Sequence, residues 1–331
     1  MTRSSAINRF TTYALLIAGA VLFAFPLVWM IATSLKSPEQ AAAFPPTFLP
    51  RAHYAEVAGQ RVEVTLDRAL ADRPGWWQVT TKDGTGTRAA LPREQIETRV
   101  EPRWGNYPEA LARMGGGRVG FGTFLGNTLI VCVLGVTGAV FSNAIVAYGF
   151  ARLKWRGRDA FFAVTLATMM VPMPVLMVPL YGVFRELGWI GTLLPLWVPA
   201  WFGSAFNIFL MRQFFRTIPE EMSEAARIDG AGEWTIFWRL ILPLSKPVLA
   251  VTALFHFLFA WNDFLGPLLY LTRQETFTLA IALQNYQSQA GGVEWPLLMA
   301  ASAVVVAPVI VLFFLAQKTF IQGVATTGSK G

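Results

Sequence analysis

The 331-residue chain has one cysteine, two histidines and little charge, with Asp, Glu, Lys and Arg together at 14%. A lone thiol, Cys132, excludes a disulfide framework, and its place inside an apolar run says nothing of redox compartment. His53 and His256 are far apart, and neither HExxH nor GxSxG occurs, so no metal centre or hydrolase site of those kinds is expected. A P-loop is lacking too. The nearest approach, "GVATTGSKG" at the C-terminus, has Ser329 before Lys330 and no following helix, so no nucleotide site of that kind is expected on this chain. The net charge of +7 is dispersed, with no basic tract of the kind that binds nucleic acid.

What is abundant is apolar surface, at 54% hydrophobic residues with 12 Trp. That is too much for an ordinary soluble domain, so the chain is read as a membrane protein. A spanning helix needs about 20 apolar residues. Six windows qualify: 10–34, 122–150, 160–181, 191–211, 248–271 and 296–320. Pro172, Pro174, Pro179, Pro195, Pro199 and Pro308 interrupt them, which lipid tolerates only where neighbouring helices or a cavity satisfy the freed backbone. The expected fold is therefore an all-α polytopic bundle of six transmembrane helices. The first window, in residues 1–35, is too long for a signal peptide and lacks a cleavage pattern, so it is expected to be retained.

Orientation follows from Lys and Arg in the short loops. "RLKWRGRD" (152–159) has four basic residues and the loop 212–246 has five, whereas 272–295 has one. This asymmetry places both termini in the cytoplasm, including a C-terminal tail at 321–331. The long loop 36–120 is then external. Within it, residues 51–101 alternate Val, Thr and Trp with polar residues around a "KDGTG" turn, predicting a small β-rich insert of two to four strands. "GNYPEALARM" predicts a short helix at the membrane surface, and "GGG" (115–117) a break before the second span.

The polar stretch "IPEEMSEAARIDGAGEWTIFWRLILPLSKP" interrupts residues 121–320 on the cytoplasmic side. Thr217 and Glu220 fit a capping box, and Ile218, Met222, Ala225 and Ala226 form an apolar stripe. Gly230 ends this helix; Trp234, Phe237, Trp238 and Ile241 outline a second that stops at Pro243 and Pro247. The segment "EAARIDGAGEWTIFWRLILP" resembles the EAA loop of permease subunits of ATP-binding-cassette importers, with Glu224, Ala225, Ala226, Gly230, Ile241, Leu242 and Pro243 at the motif positions. "MVPLY", "LGWIGTLLPL" and "WNDFLGPLLYL" narrow the likeness to carbohydrate importers similar to the maltose system's smaller permease. The insert departs from the pattern.

This resemblance implies the six-helix importer-permease fold and a coupling helix, with Glu224, Ala225, Ala226, Asp229, Gly230 and Pro243 working against a separate ATPase. It also implies a second permease, two ATPase subunits that use ATP-Mg, an external solute-binding protein and no cofactor on this chain. A disaccharide or oligosaccharide is the implied cargo, with a polyol or glycerol phosphate open. Polar residues inside the spans are candidates for the pathway or for structural roles: Asn127, Asn143, Asn207, His256, Asn262 and Asp263. His256 and Asp263 are seven apart, which on a continuous helix shares one face and raises a proton-coupled secondary transporter as the rival reading.

Overall fold

The computed structural model describes residues 3–116, 119–289 and 294–328, with backbone alone at 3–8, 288–289 and 318–328. Two compact units emerge, 1–114 with 286–305, and 115–285 with 306–331.

In the first unit, α1 (Arg3–Ser34) leads to α2 (Pro38–Ala42), N-capped by Ser37. Five strands follow: β1 (Arg51–Val57), β2 (Gln60–Ala69), β3 (Trp76–Thr81), β4 (Arg88–Pro92) and β5 (Glu97–Val100). They form one antiparallel sheet in the order β4-β3-β2-β1-β5. The insert thus has five strands where two to four were expected. Alternation puts Ala55, Val64 and Val79 on one face, where they bury with Ile96 as a small core. Asp83 Oδ1 accepts from Thr85 N at 3.0 Å and from Thr81 Oγ1 at 2.8 Å, which ties the "KDGTG" turn. The sheet ends meet: Arg51 pairs with Val100, and Glu101 N donates to Pro50 O at 3.1 Å. The predicted helix near the membrane surface is α3 (Asn106–Arg113), and Asn106 Nδ2 donates to Ser34 O and Lys36 O, fastening it to the end of α1.

In the second unit, α4 (Phe121–Ala151) is central. Then come α5 (Arg158–Ala167), α6 (Met173–Glu186), α7 (Leu194–Trp197), α8 (Ala205–Thr217) and α9 (Glu220–Ile228). Next are α10 (Glu233–Ile236), a π turn (Phe237–Ile241), α11 (Leu242–Leu244), α12 (Lys246–Asn262) and α13 (Leu265–Tyr270). α14 (Leu279–Gln289) and α15 (Trp295–Gly328) complete the chain. α12, α8 and the turn Val198–Phe202 pack on α4.

Among the described residues four stretches are long and apolar enough to cross a membrane: Arg9–Ser34, Phe121–Ala151, Leu194–Thr217, which is made of α7, the turn Val198–Phe202 and α8, and Trp295–Gln317. The other two expected spans are bent pairs. Arg158–Met170 meets Met173–Glu186 at 99°, because Pro172 and Pro174 remove donors and force extended backbone at Val171. Glu233–Leu244 meets Lys246–Asn262 at 78°, beside Pro243 and Pro247. The expected fifth window, 248–271, is not one helix: it stops at Asn262. α15 is helical through Gly328, so most of the expected tail continues that helix, while 329–331 and Gly117 lie outside the described residues.

Candidate functional site

The polar hairpin is a two-sided structure built on α4. At its start, Arg152 is buried and its Nη2 donates to Phe215 O and Ile218 O, fastening α4 to the carbonyl end of α8. α9 begins at Pro219 with Glu220 and Glu221 in its first turn, where carboxylates suit the helix dipole. The expected capping box is absent. Thr217 closes α8 with its hydroxyl turned back to donate to Phe214 O at 2.8 Å, and the N-cap position of α9 falls on Pro219, which has no side-chain acceptor to offer.

α9 ends as the sequence predicts. Gly230 has φ +80°, a left-handed conformation in which a side chain is strained, and its N donates to Arg227 O at 3.0 Å while Ala231 N reaches Ala226 O at 2.9 Å. One face of the hairpin is interior: Ile218, Ser223, Ile236, Phe237 and Ile241 are buried, the apolar ones among Ala144, Ala147 and Tyr148 of α4, Met211 and Phe215 of α8, and Val248 of α12. Ala226 is half-buried against this cluster, so it belongs to the hairpin's seat and not to the open contact face that the stripe implied. The other face is open. Glu224, Ala225, Asp229, Gly230 and Pro243 are exposed, as are Ile228 at 86% and Trp234 at 64%.

A carboxylate joins these parts. Glu233 accepts from Tyr148 Oη at 2.5 Å and from Arg227 Nε at 2.9 Å, so α4, α9 and α10 share one polar node, and the Tyr148 and Phe237 rings pack at 5.1 Å. Tyr148, Arg152 and Glu233 were missed by sequence reasoning. Tyr148 reads there as one more aromatic in a span and Arg152 as a topology signal; the i,i+6 spacing of Arg227 and Glu233 across a glycine turn fits no helical pair rule.

The polar residues within the spans divide. Asn127 Nδ2 donates to Glu275 O at 2.7 Å and Phe277 O at 3.0 Å, pinning the start of α4 to the loop before α14. Asn143 spends both ends of its amide, donating to Ala139 O at 2.5 Å and accepting from Ser204 N at 2.7 Å. Asn207 Oδ1 and His256 Nε2 are buried without partners, and the His256 ring fills the notch at Gly135, where a Cβ would fall 2.7 Å from Nε2. Asn262 is exposed at the last turn of α12, with Nδ2 donating to Leu258 O at 2.8 Å. Asp263 lies beyond the helix in extended backbone, and its Oδ1 caps Gly266 N at 3.1 Å. His256 and Asp263 therefore share no helix face, which removes the geometry behind the secondary-transporter reading.

Comparison with known proteins gives a consistent result. The family described as "Binding-protein-dependent transport system inner membrane component" matches residues 120–326. An arabinooligosaccharides transport system permease protein of Halalkalibacterium halodurans is 34% identical over 209 residues, 63% of this chain and 74% of that protein. An sn-glycerol-3-phosphate transport system permease protein of Yersinia pestis is 32% identical over 213 residues, 64% of this chain and 75% of the relative. Among solved structures, a chain of a bacterial ABC transporter involved in the import of the acidic polysaccharide alginate superposes with a TM-score of 0.68 over 96% of this chain and 98% of its own length, at 22% identity, a likeness of fold.

Proposed function

This chain belongs to the family of binding-protein-dependent transport system inner membrane components, and from that premise we propose that it forms half of a carbohydrate pathway opened and closed by a separate ATPase. The observation that carries this reading is the two-sided hairpin. Its inner face is locked to α4, α8 and α12, while its outer face offers Ala225, Ile228 and Trp234. Exposed apolar groups on a charged loop at the cytoplasmic side suit a protein partner better than water.

In this reading α9 seats in a cleft of the ATPase. Closure of two ATPase subunits on ATP-Mg pushes α9, and the Glu233 node and Arg152 pass that displacement to α4 and α8 as a rigid body. α12, bent by 78° at its start and broken at Asp263, is the element best able to change angle. No cofactor is assigned to this chain. The bare apolar surface of α1 supports packing on a second permease, identical or homologous, within the plasma membrane, with both termini cytoplasmic. Loading comes from an external solute-binding protein. The names of the relatives support a disaccharide or oligosaccharide as cargo, with a polyol phosphate as the neighbouring class.

The test is reconstitution of the complex, purified from its native membrane through a tag on this chain, into proteoliposomes. Ile228→Glu and Trp234→Ala are expected to insert and pair normally yet lose binding-protein-stimulated ATP hydrolysis and uptake together. Normal hydrolysis and ATPase retention in both variants would remove the hairpin from the coupling role.

A further inference from the structure

The outer end of α1 holds a charge with no counter-charge. Lys36 is 2% exposed, two residues past the helix. Its Nζ donates to Thr47 O at 2.6 Å and stands 4.5 Å from the centre of the Trp29 ring. All Asp and Glu residues of the chain fall among the described residues, and none pairs with Lys36. A buried ammonium with one carbonyl and one ring is under-compensated, since such a group has three protons to place.

Beside it lies a cavity of about 210 Å³ walled by Trp29, Thr33, Lys36, Gln40, Trp295 and Met299. Thr33 is 7% exposed, and its hydroxyl has no hydrogen-bond partner. Gln40 is already committed, to Thr47 Oγ1, Leu49 O and Arg51 N. Three carbonyls at the helix end are already engaged: Thr33 O by Lys36 N, Ser34 O by Asn106 Nδ2 and Ile31 O by Ser34 Oγ. A cation and an unused hydroxyl facing one cavity specify an anion with at least one acceptor oxygen.

Position narrows the anion. The apolar window Arg9–Ser34 leads straight to this cavity and is not buried in its own chain, leaving a surface along which acyl chains can lie. Two indoles at the head of that surface match the aromatic belt of a membrane interface. We propose that the cavity binds the phosphate of an anionic phospholipid headgroup, with Lys36 as its counter-charge, Thr33 as a second donor and Trp29 and Trp295 as its walls. This site depends on the chain spanning a membrane and not on its cargo or its ATPase.

The test is native mass spectrometry of the full-length chain in its purified complex, after delipidation and titration with phosphatidylglycerol. Wild type should retain one phosphatidylglycerol per chain in preference to phosphatidylcholine. Lys36→Met should weaken retention about tenfold, the scale of one charge-assisted hydrogen bond, and Thr33→Val less. Equal retention by wild type and Lys36→Met overturns the site. Displacement of the lipid by inorganic phosphate or by galacturonate overturns the lipid assignment in favour of a free anion. If Lys36→Met does not assemble, photoactivatable phosphatidylglycerol on wild type decides: adducts within 29–46 or 294–299 support the site, and adducts only elsewhere refute it.

Discussion

Tyr148 reaches the hairpin with a single hydrogen bond, so its contribution can be isolated. Tyr148→Phe removes the donor to Glu233 and keeps the ring against Phe237; because Glu233 retains Arg227 and water, the expected loss is about 1 kcal/mol at the node. Assembly should persist while stimulated ATP hydrolysis falls severalfold, and hydrolysis equal to wild type would separate the node from coupling. Gly230→Val acts differently. With φ at +80° and no atom within 4 Å of a built Cβ, its cost is backbone strain of about 1 kcal/mol or more, not crowding. That variant should insert and fold yet redirect α10 and release the ATPase in pull-down; full retention would count against the turn as a fixed elbow. Ala225→Trp is a cleaner probe of the open face than Ala226→Trp, whose bulk would also strain the seat. The glycine stop was legible because φ > 0 leaves few residue choices, whereas the capping box was misread, since nothing local tells whether a threonine hydroxyl turns forward to an amide or back to a carbonyl.

α4 accepts its neighbours through notches. At Gly138 a Cβ would stand 2.3 Å from Trp201 Cδ1, and Trp201 in turn donates its indole N–H to Leu134 O at 3.1 Å. Gly138→Val must expel that ring, an overpacking cost of about 1–3 kcal/mol. The purified chain should then melt lower in detergent, and an unchanged melting temperature would place Trp201 free to move aside. The same element scale explains what a hydropathy window resolves. It found the four long apolar stretches and the neighbourhood of the two bent pairs, because length and composition are what lipid demands. It passed over the stop at Asn262, because "WNDFLGPLLYL" keeps an apolar average across a helix end set by one carboxylate on Gly266 N. β1 "RAHYAEV" was likewise passed over, because His53 and Tyr54 break its apolar alternation, and its pairing with β2 and β5 makes it a strand.

The insert is expected to be detachable from the rest of the molecule. Its first and last strands are neighbours and Pro50 touches Glu101, so a short Gly/Ser linker can replace 51–101 without stretching the chain. Such a deletion should still insert and bind the ATPase; failure to do either would make the sheet part of the core. The sheet should also weaken in acid. Burial first, then the Arg93 and Arg51 charges, hold the His53 imidazole below its ordinary range. Burial opposes ionisation of Glu39, yet hydrogen bonds from Lys82 and Ser37 bring its carboxyl down to about 2. Both folded values lie below the unfolded ones. The unfolded chain therefore takes up protons first, and stability present above about pH 6.5 declines as pH falls, through His53 and then, below about pH 4.5, through Glu39. Amide exchange in 51–100, corrected for intrinsic rates, should be faster at about pH 5.5 than at about pH 7.5, and a His53 titration midpoint at or above 6.5 would refute this.

Synthesis runs from the N-terminus, so α1, whose apolar window Arg9–Ser34 is 0% buried among the described residues, leaves the ribosome before α4 and α12. In the proposed assembly α1 is open to lipid or to a second permease as soon as it enters the bilayer, so pairing of two subunits would begin while either is half made, and an excess of one over the other would leave a finished bundle with an orphaned first helix for quality-control proteases to find.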